Sequence, residues 1–459
     1  AGVTRAVAGG AWIFIKAPRY EGRIQYVKIV LMICVFSLAA YGATSLGMET
    51  GIFAKNFGNL ADAYHEYGFV YCFGSSLLNT GITKPEDYAP EVIVRIESED
   101  IEKEDIGSDS GQTVQENVEG TAVSTEESQE ISGTVRKDTD FPNVIMIQLE
   151  SFFDPQTVEG LVYSKDPIPN FHQLQEKYSS GYMLVPSVGA GTANTEFEVL
   201  TGMNLDFFGP GEYPYKTVLK ETTCESISYI MKKLDFTAHA IHNNDGTFYD
   251  RHIVFSQLGF DTFTPIEYMN RYETNPVGWA KDKVLQTYIT EALNATEGQD
   301  FIYTITVQDH GAYPQTEVIR DPEIIVEGCD TEAEHFQMEY FVNQLYETDQ
   351  FIGELIHELS TWPEDVVVVM YGDHLPPMGF EEDEIDTGSL FQTPYVVWSN
   401  FDMERKELNL EAYQMTAYVL ERLNIHLGTM PRLHQKYMNM DAAERDEEAY
   451  LENMRLLEY

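Results

Sequence analysis

The chain has 459 residues, 43% of them hydrophobic and 12% aromatic, enough to bury a core in more than one domain. Lys and Arg number 29 against 75 Asp and Glu, a formal charge of −46. This balance argues against a nucleic-acid partner, which needs a basic footprint. An anionic substrate stays open if a cation or a few placed Arg and His residues meet it. Cys34, Cys72, Cys224 and Cys329 form no C-x-x-C pair, which argues against a disulfide scaffold and a structural zinc site. The chain starts at Ala1 rather than Met, as a piece of a longer protein would.

In chain order, Ala6–Ile15 is short and apolar and reads as the tail of an earlier span. Ile29–Met48 is a 20-residue stretch without a charge, long enough to cross a hydrocarbon core of about 30 Å. Arg5, Lys16, Arg19, Arg23 and Lys28 precede it, and Glu49 follows. That asymmetry puts the N-terminus in the cytoplasm and the rest of the chain outside the cell. Residues 1–95 are therefore expected to be a membrane-anchoring region with a transmembrane helix at 29–48. An aromatic run inside it, YHEYGFVYCF, suits the membrane interface or packing on the following domain. Residues 96–140 read as a flexible acidic linker, since Glu97–Asp140 holds 14 acidic and 3 basic residues and no aromatic.

From residue 141 short apolar runs alternate with amphipathic stretches. Asn143–Leu149, Phe301–Val307 and Asp365–Met370 read as strands. Thr217–Leu234 and Met338–Leu359 read as helices. The alternation implies an α/β domain over 141–430, with a mainly parallel sheet covered by helices on both faces. Residues 431–459 read as a helical tail that packs on the domain.

Ligands bind beyond the carboxyl ends of strands in open α/β sheets. The three strands deliver Glu150, His310 and the pair Asp373–His374 to one rim. Carboxylates with imidazole suit a divalent cation such as Mn²⁺, Mg²⁺ or Zn²⁺. A loop of small residues, Val188-Gly-Ala-Gly-Thr192, runs into an apolar helical stretch, offering free N–H groups to an anion. Thr192 is placed to attack phosphorus there. Thr192 or Thr195 is equally readable as a plain helix cap. In the segment His239–His252, His242 and Arg251 suit a phosphate and Tyr249 a pocket wall. By itself that segment also reads as a solvated polar loop.

Four blocks in order, N-V-I-M-I-Q-L-E-S, G-T-A-N-T-E-F, H-x6-Y-x-R and Y-G-D-H, make the chain resemble the lipoteichoic acid synthase group of phosphoglycerol transferases, in the alkaline phosphatase and sulfatase superfamily. The likeness covers roughly 141–430, and the preceding apolar segment and linker fit the layout of that group. It implies an alkaline phosphatase-like fold. It implies one divalent metal, Mn²⁺ or Mg²⁺, held by Glu150, Thr192, Asp373 and His374, with Thr192 as nucleophile. His242, Arg251 and His310 would contact glycerol phosphate, with Tyr249 standing where well-known members carry Trp. The implied reaction is double displacement. Thr192 takes glycerol phosphate from phosphatidylglycerol, diacylglycerol leaves with a proton from His310 or water, and a glycolipid or polymer acceptor receives the group outside the cell. The nucleophile block departs from the Lys-Thr-Ser-Asp-Ser-Glu of those members, which bears on donor and acceptor.

The rivals are a phosphoethanolamine transferase with two zinc ions, for which His239 and Asp309 are the spare ligands, a phosphodiesterase or sulfatase-like hydrolase, and a membrane-anchored sensor without catalysis. A formylglycine sulfatase needs a C/S-x-P-x-R block, and Cys224 lies in C-E-S-I-S.

Overall fold

The computed structural model describes residues 26–49, 67–68, 71–72, 81–85, 87–101, 141–209 and 211–459. Residues 1–55 and 56–459 are separate compact units. Ala6–Ile15, most of the aromatic run and residues 102–140 of the linker lie outside the described residues.

Within the first unit, α1 (Tyr26–Glu49) is one 24-residue helix with Val30, Leu31, Met32, Val35 and Leu38 exposed. Counted over the described residues alone, no helix is long and apolar enough to cross a membrane.

The second unit opens with α2 (Pro90–Ile101), so the acidic stretch begins as the end of a helix. Ten strands follow among the described residues: β1 (Asn143–Leu149), β2 (Val162–Tyr163), β3 (Ser179–Leu184), β4 (Thr237–His242), β5 (Thr262–Pro265), β6 (Asp300–Ile305), β7 (Val326–Glu327), β8 (Val366–Gly372), β9 (Gln392–Ser399) and β10 (Leu410–Glu411). The helices between and after them are α3 (Pro169–Lys177), α4 (Thr192–Thr201), α5 (Ile227–Lys232), α6 (Arg251–Gln257), α7 (Lys283–Leu293), α8 (Glu332–Leu359), α9 (Met415–Arg422), α10 (Thr429–Asn439) and α11 (Glu447–Glu458).

Eight strands form one sheet in the order β10-β3-β9-β8-β1-β6-β4-β5. Only β9 runs against the others. β1 and β8 are buried at every position, as expected of a sheet covered on both faces. Their side chains alternate. Val144, Met146, Val367 and Val369 enter one core with Phe197 of α4 and Phe255 of α6. Ile145, Ile147, Val366 and Val368 enter the other with Leu285 of α7 and Phe341 of α8. A period of two thus serves two layers at once.

The helix expected over Thr217–Leu234 is not there. Pro214–Lys216 and Val218–Lys220 are 3-10 turns, and only Ile227–Lys232 is α-helical. The buried Glu212 carboxylate accounts for this. It accepts N–H groups from Gly81 and Gly209 and the hydroxyl of Thr217, which pulls the chain into turns. The helix expected from Met338 starts earlier, at Glu332, where Thr331 and Glu334 form a reciprocal cap. α10 and α11 pack by Met430, Leu433, Tyr450 and Met454 against Tyr413.

Parallel pairing sets Leu149 opposite Gly372, so the residues that follow, Glu150 and Asp373, emerge side by side. Gly372 must lack a side chain, because a Cβ there would stand 1.9 Å from the Phe152 carbonyl oxygen. Gly372→Ala is expected to cost about 3 kcal/mol by forcing these strand ends apart, measured as a lower urea midpoint with unchanged slope.

Candidate active site

Glu150, Asp373 and His374 are all buried, and each offers one ligand atom within 4.8 Å of the others. Ser151 turns the chain out of β1 with φ at 52°. Its N–H donates to Asp373 Oδ1 at 2.7 Å and its hydroxyl to Glu150 Oε1 at 2.9 Å. The N–H of Glu150 donates to Thr306 Oγ1 at 2.8 Å, just beyond β6. His374 Nε2 lies 3.4 Å from Asp373 Oδ2 and 3.7 Å from Glu150 Oε1. Its Nδ1–H donates to the Leu375 carbonyl at 2.9 Å, which leaves Nε2 free to bind a cation.

Asp373 Oδ2 is buried with no hydrogen-bond partner. A buried carboxylate oxygen without a donor is costly, and a divalent cation among these three groups removes that cost. The residues present therefore fit one metal ion. Burial, with Glu150 beside it, pushes the Asp373 carboxyl up although His374 opposes this. Burial alone would lower His374, but Asp373 and Glu150 hold it above its ordinary value.

Thr192 is the first residue of α4, not its cap. Gly191 takes the cap position with φ at 103° and no side-chain bond. A Cβ on Gly191 would strike Ser187 Oγ at 2.6 Å. Thr192 Oγ1 donates to Glu150 Oε2 at 3.2 Å, which joins it to the cluster. Thr195 Oγ1 instead donates to the Asp373 carbonyl at 2.8 Å. Gln148 Nε2 donates to the Thr192 carbonyl at 3.1 Å, and Gln148 Oε1 accepts from Tyr303 and Tyr371. Thr192 thus stands at a helix start, a position that suits an anion.

The segment after β4 is not a solvated loop at its ends. His242 is buried, and its Nδ1–H donates to the Ile305 carbonyl at 2.9 Å. Burial, then Arg251 and His310, hold it well below the usual imidazole range. It is neutral, so the positive grip on an anion falls to Arg251. That residue is 1% exposed. Its Nε and Nη2 bind the Glu196 carboxylate, one helical turn beyond Thr192. Tyr249 sits at φ 58° and stacks on Tyr213, ring centres 5.7 Å apart. The Arg251 guanidinium lies 5.2 Å from the Tyr249 ring centre. His310 packs its ring 4.6 Å from that of Trp279, and Nδ1 lies 2.5 Å from the Gly311 carbonyl oxygen.

Of the two spare ligands of a dizinc reading, His239 is held elsewhere. His239 Nε2 meets Asp300 Oδ1 at 3.1 Å, at the amino ends of the strands. Asp309 is buried with both oxygens unpartnered, and burial and Asp282 push its carboxyl well above the usual range. Among the described residues one cluster of metal-ligating side chains is present. The sulfhydryl of Cys224 faces Met203 Sδ at 3.4 Å.

Sequence reading missed Ser151, Thr306, Glu196, Tyr213 and Trp279. Glu196 alone carried a signal, as a charge four residues after Thr192 on the same helical face. The others come to the site through tertiary contacts.

The sulfatase family matches residues 142–421, and the chain belongs to that family. It is 26% identical over 322 residues to a putative cyclic beta-1,2-glucan modification protein of Rhizobium meliloti, covering 65% of this chain and 49% of that one. It is 28% identical over 262 residues to a lipoteichoic acid synthase of Staphylococcus saprophyticus, covering 54% and 38%. The chain thus spans half or less of the length of these curated relatives. Among solved structures, phosphoglycerol transferase GacH of Streptococcus pyogenes, in complex with sn-glycerol-1-phosphate, superposes with a TM-score of 0.67 at 23% identity, covering 82% of this chain and 94% of that one. Lipoteichoic acid synthase LtaP of Listeria monocytogenes gives 0.50 at 19% identity, covering 63% and 73%. At these identities the structural likeness is one of fold, and it agrees with the group that the four sequence blocks resemble.

A cation entering the cluster competes with the protons favoured on Asp373 and His374. Manganese affinity is therefore expected to fall as pH drops below neutral, roughly tenfold per unit for each proton displaced. Calorimetric titration at several pH values checks it.

Proposed function

We propose that this chain is a membrane-anchored phosphoglycerol transferase that moves glycerol phosphate from phosphatidylglycerol to a glycolipid or polymer acceptor outside the cell. One observation carries the reading. Thr192 Oγ1 sits at the start of α4, bonded to Glu150 of a buried ligand set whose Asp373 oxygen has no partner. The relatives named lipoteichoic acid synthase and phosphoglycerol transferase support the same reaction class. The uncharged stretch Ile29–Met48 with its basic flank supports the anchor. On this reading 1–95 holds the chain at the membrane, 96–140 tethers, 141–430 catalyses and 431–459 packs as a helical tail.

Glu150, Asp373, His374 and the Thr192 hydroxyl would hold one Mn²⁺ or Mg²⁺. When bound, such an ion supplies positive charge that lowers the hydroxyl pKa and polarises a phosphoryl oxygen.

The chain's own groups do the rest. Thr192 Oγ attacks phosphorus, its proton leaving along the bond to Glu150. The N–H groups of α4 and the Arg251 guanidinium meet the charge that develops on the phosphoryl oxygens. Glu196 holds the Arg251 fork against the same helix, so nucleophile and cation move together. His310 protonates the departing diacylglycerol oxygen. His242, neutral, accepts a hydrogen bond from a glycerol hydroxyl. In the second half the acceptor hydroxyl attacks and gives its proton to His310, the Thr192 Oγ–phosphorus bond breaks, and the proton held by Glu150 returns to Thr192.

The test uses the full chain with Mn²⁺ and fluorescent phosphatidylglycerol in micelles. Wild type should release diacylglycerol and gain the mass of glycerol phosphate. Thr192→Ala should lose the adduct and slow release on the order of a thousandfold or more. Release that survives Thr192→Ala overturns the assignment. Intact cluster binding of manganese without release from phosphatidylglycerol, but with release from phosphatidylethanolamine, favours the phosphoethanolamine transferase.

A further inference from the structure

Trp279 is a large aromatic side chain that the core does not use. It belongs to none of the three hydrophobic clusters among the described residues, and it is half-buried. The ring it meets is His310, with centres 4.6 Å apart and 51° between the planes. His310 follows β6 and is itself half-buried. Its Nδ1 is taken by the Gly311 carbonyl oxygen, so Nε2 is the nitrogen left for chemistry. One hydrogen bond leaves an imidazole free to swing about it. The Trp279 ring is the second constraint.

A small hairpin holds Trp279 in place. Thr274 pairs with Ala280 across it, and the Asn275 N–H donates to the Trp279 carbonyl at 2.8 Å. Gly278 closes the tip with φ at 102°. The buried Asn275 amide ties this hairpin to the end of β6. Its Oδ1 accepts the N–H groups of Val277 at 3.2 Å and Trp279 at 2.9 Å, and its Nδ2 donates to the Gln308 carbonyl at 2.9 Å. At the other end of the hairpin, buried Asp282 accepts the N–H groups of Val307 at 3.1 Å and Gln308 at 3.2 Å. Gln308 Oε1 accepts the Asp282 N–H in return. Hairpin and strand end are thus one frame bonded at two points, and a buried polar network with its partners in place is rigid. The indole and the imidazole both stand on that frame.

Given the transferase reading above, on which this inference rests, we propose that Trp279 is a positioning residue that acts through His310. The indole sets the plane of the imidazole and favours its protonated form, as an aromatic ring does for a cation beside it. The leaving group creates the need. Diacylglycerol departs as an alkoxide, a strong base, unless a proton reaches it in the same step, so placement of the acid carries much of the rate. In that step the Thr192 Oγ–phosphorus bond forms and the bond from phosphorus to the diacylglycerol oxygen breaks. The proton moves from His310 Nε2 to that oxygen. In the second half the neutral Nε2 takes the proton of the acceptor hydroxyl, which restores the cation beside the indole. Trp279 touches neither donor nor acceptor in this scheme.

The experiment uses the full chain with Mn²⁺ and two donors. One is phosphatidylglycerol in micelles. The other is glycerol 4-nitrophenyl phosphate, whose nitrophenolate leaves without a proton. First-turnover release is followed for each. Trp279→Leu should slow diacylglycerol release roughly tenfold at saturating donor, the size of a partly desolvated cation–π contact, with the half-saturating concentration unchanged. Nitrophenolate release should stay within about twofold of wild type, since no acid is needed there. Trp279→Phe should recover most of the loss. In His310→Gln, which lacks the acid, adding Trp279→Leu should cost nothing further on phosphatidylglycerol. A Trp279→Leu protein that slows on both donors alike, or loses as much without His310 as with it, overturns the positioning role. So does one that releases diacylglycerol at the wild-type rate. The mass adduct keeps the two readings apart. If wild type gains no glycerol phosphate from either donor, the transferase reading fails. If the adduct forms and the dependence on leaving group is absent, the positioning role alone fails.

Discussion

Two carboxylates, Glu150 and Asp373, are buried side by side because their strands are paired, and too few donors surround them to offset their charge. Glu150 accepts two hydroxyls, from Ser151 and Thr192, and Asp373 accepts one N–H, from Ser151, while Asp373 Oδ2 has no donor. Such a pair is unfavourable unless it binds a cation or a proton. Much of the rest follows. His374 is fixed by the Leu375 carbonyl so that its free nitrogen faces the same space, and α4 starts where its first hydroxyl can join. The core of the sheet is what forces the pair to stay buried.

A second buried charge is treated differently. Arg251 and Glu196 compensate each other almost completely, so their pairing does not depend on a ligand. Such pairs contribute little net stability against apolar replacements. The gain is geometric. The pair ties the segment after β4 to the helix that carries Thr192.

The sulfatase family spreads one ligand geometry over many chemistries. Here the proposed nucleophile is a threonine at a helix start, and Cys224, half-buried, faces Met203. The separation of His239 from the rim follows from strand polarity. A residue early in β4 faces Asp300 at the amino ends of the strands, whereas His242, three residues on, reaches the carboxyl ends. Proximity in sequence thus conceals placement at opposite ends of the sheet.

The sequence by itself determined the strands at 143–149, 301–307 and 365–370 to within a residue or two, because buried parallel strands are short apolar runs. It also marked Glu150, Asp373 and His374, since polar residues directly after such runs emerge at the carboxyl rim. It left Thr192 open between a nucleophile and a plain helix cap, and only the tertiary structure gave the cap position to Gly191, whose positive φ another residue would resist. The segment 217–234 carried a helical pattern that the structure broke at its start, where Thr217 donates to the Glu212 carboxylate that also holds the N–H of distant Gly81. Tertiary structure alone decided that Arg251 is paired with Glu196, that His242 is held well below the usual imidazole range, and that Tyr213 stacks on Tyr249. Each of those depends on burial and on partners tens to hundreds of residues away. Side-chain charge state and pocket shape are properties of packing, whereas strand identity and the rim residues are properties of the local chain.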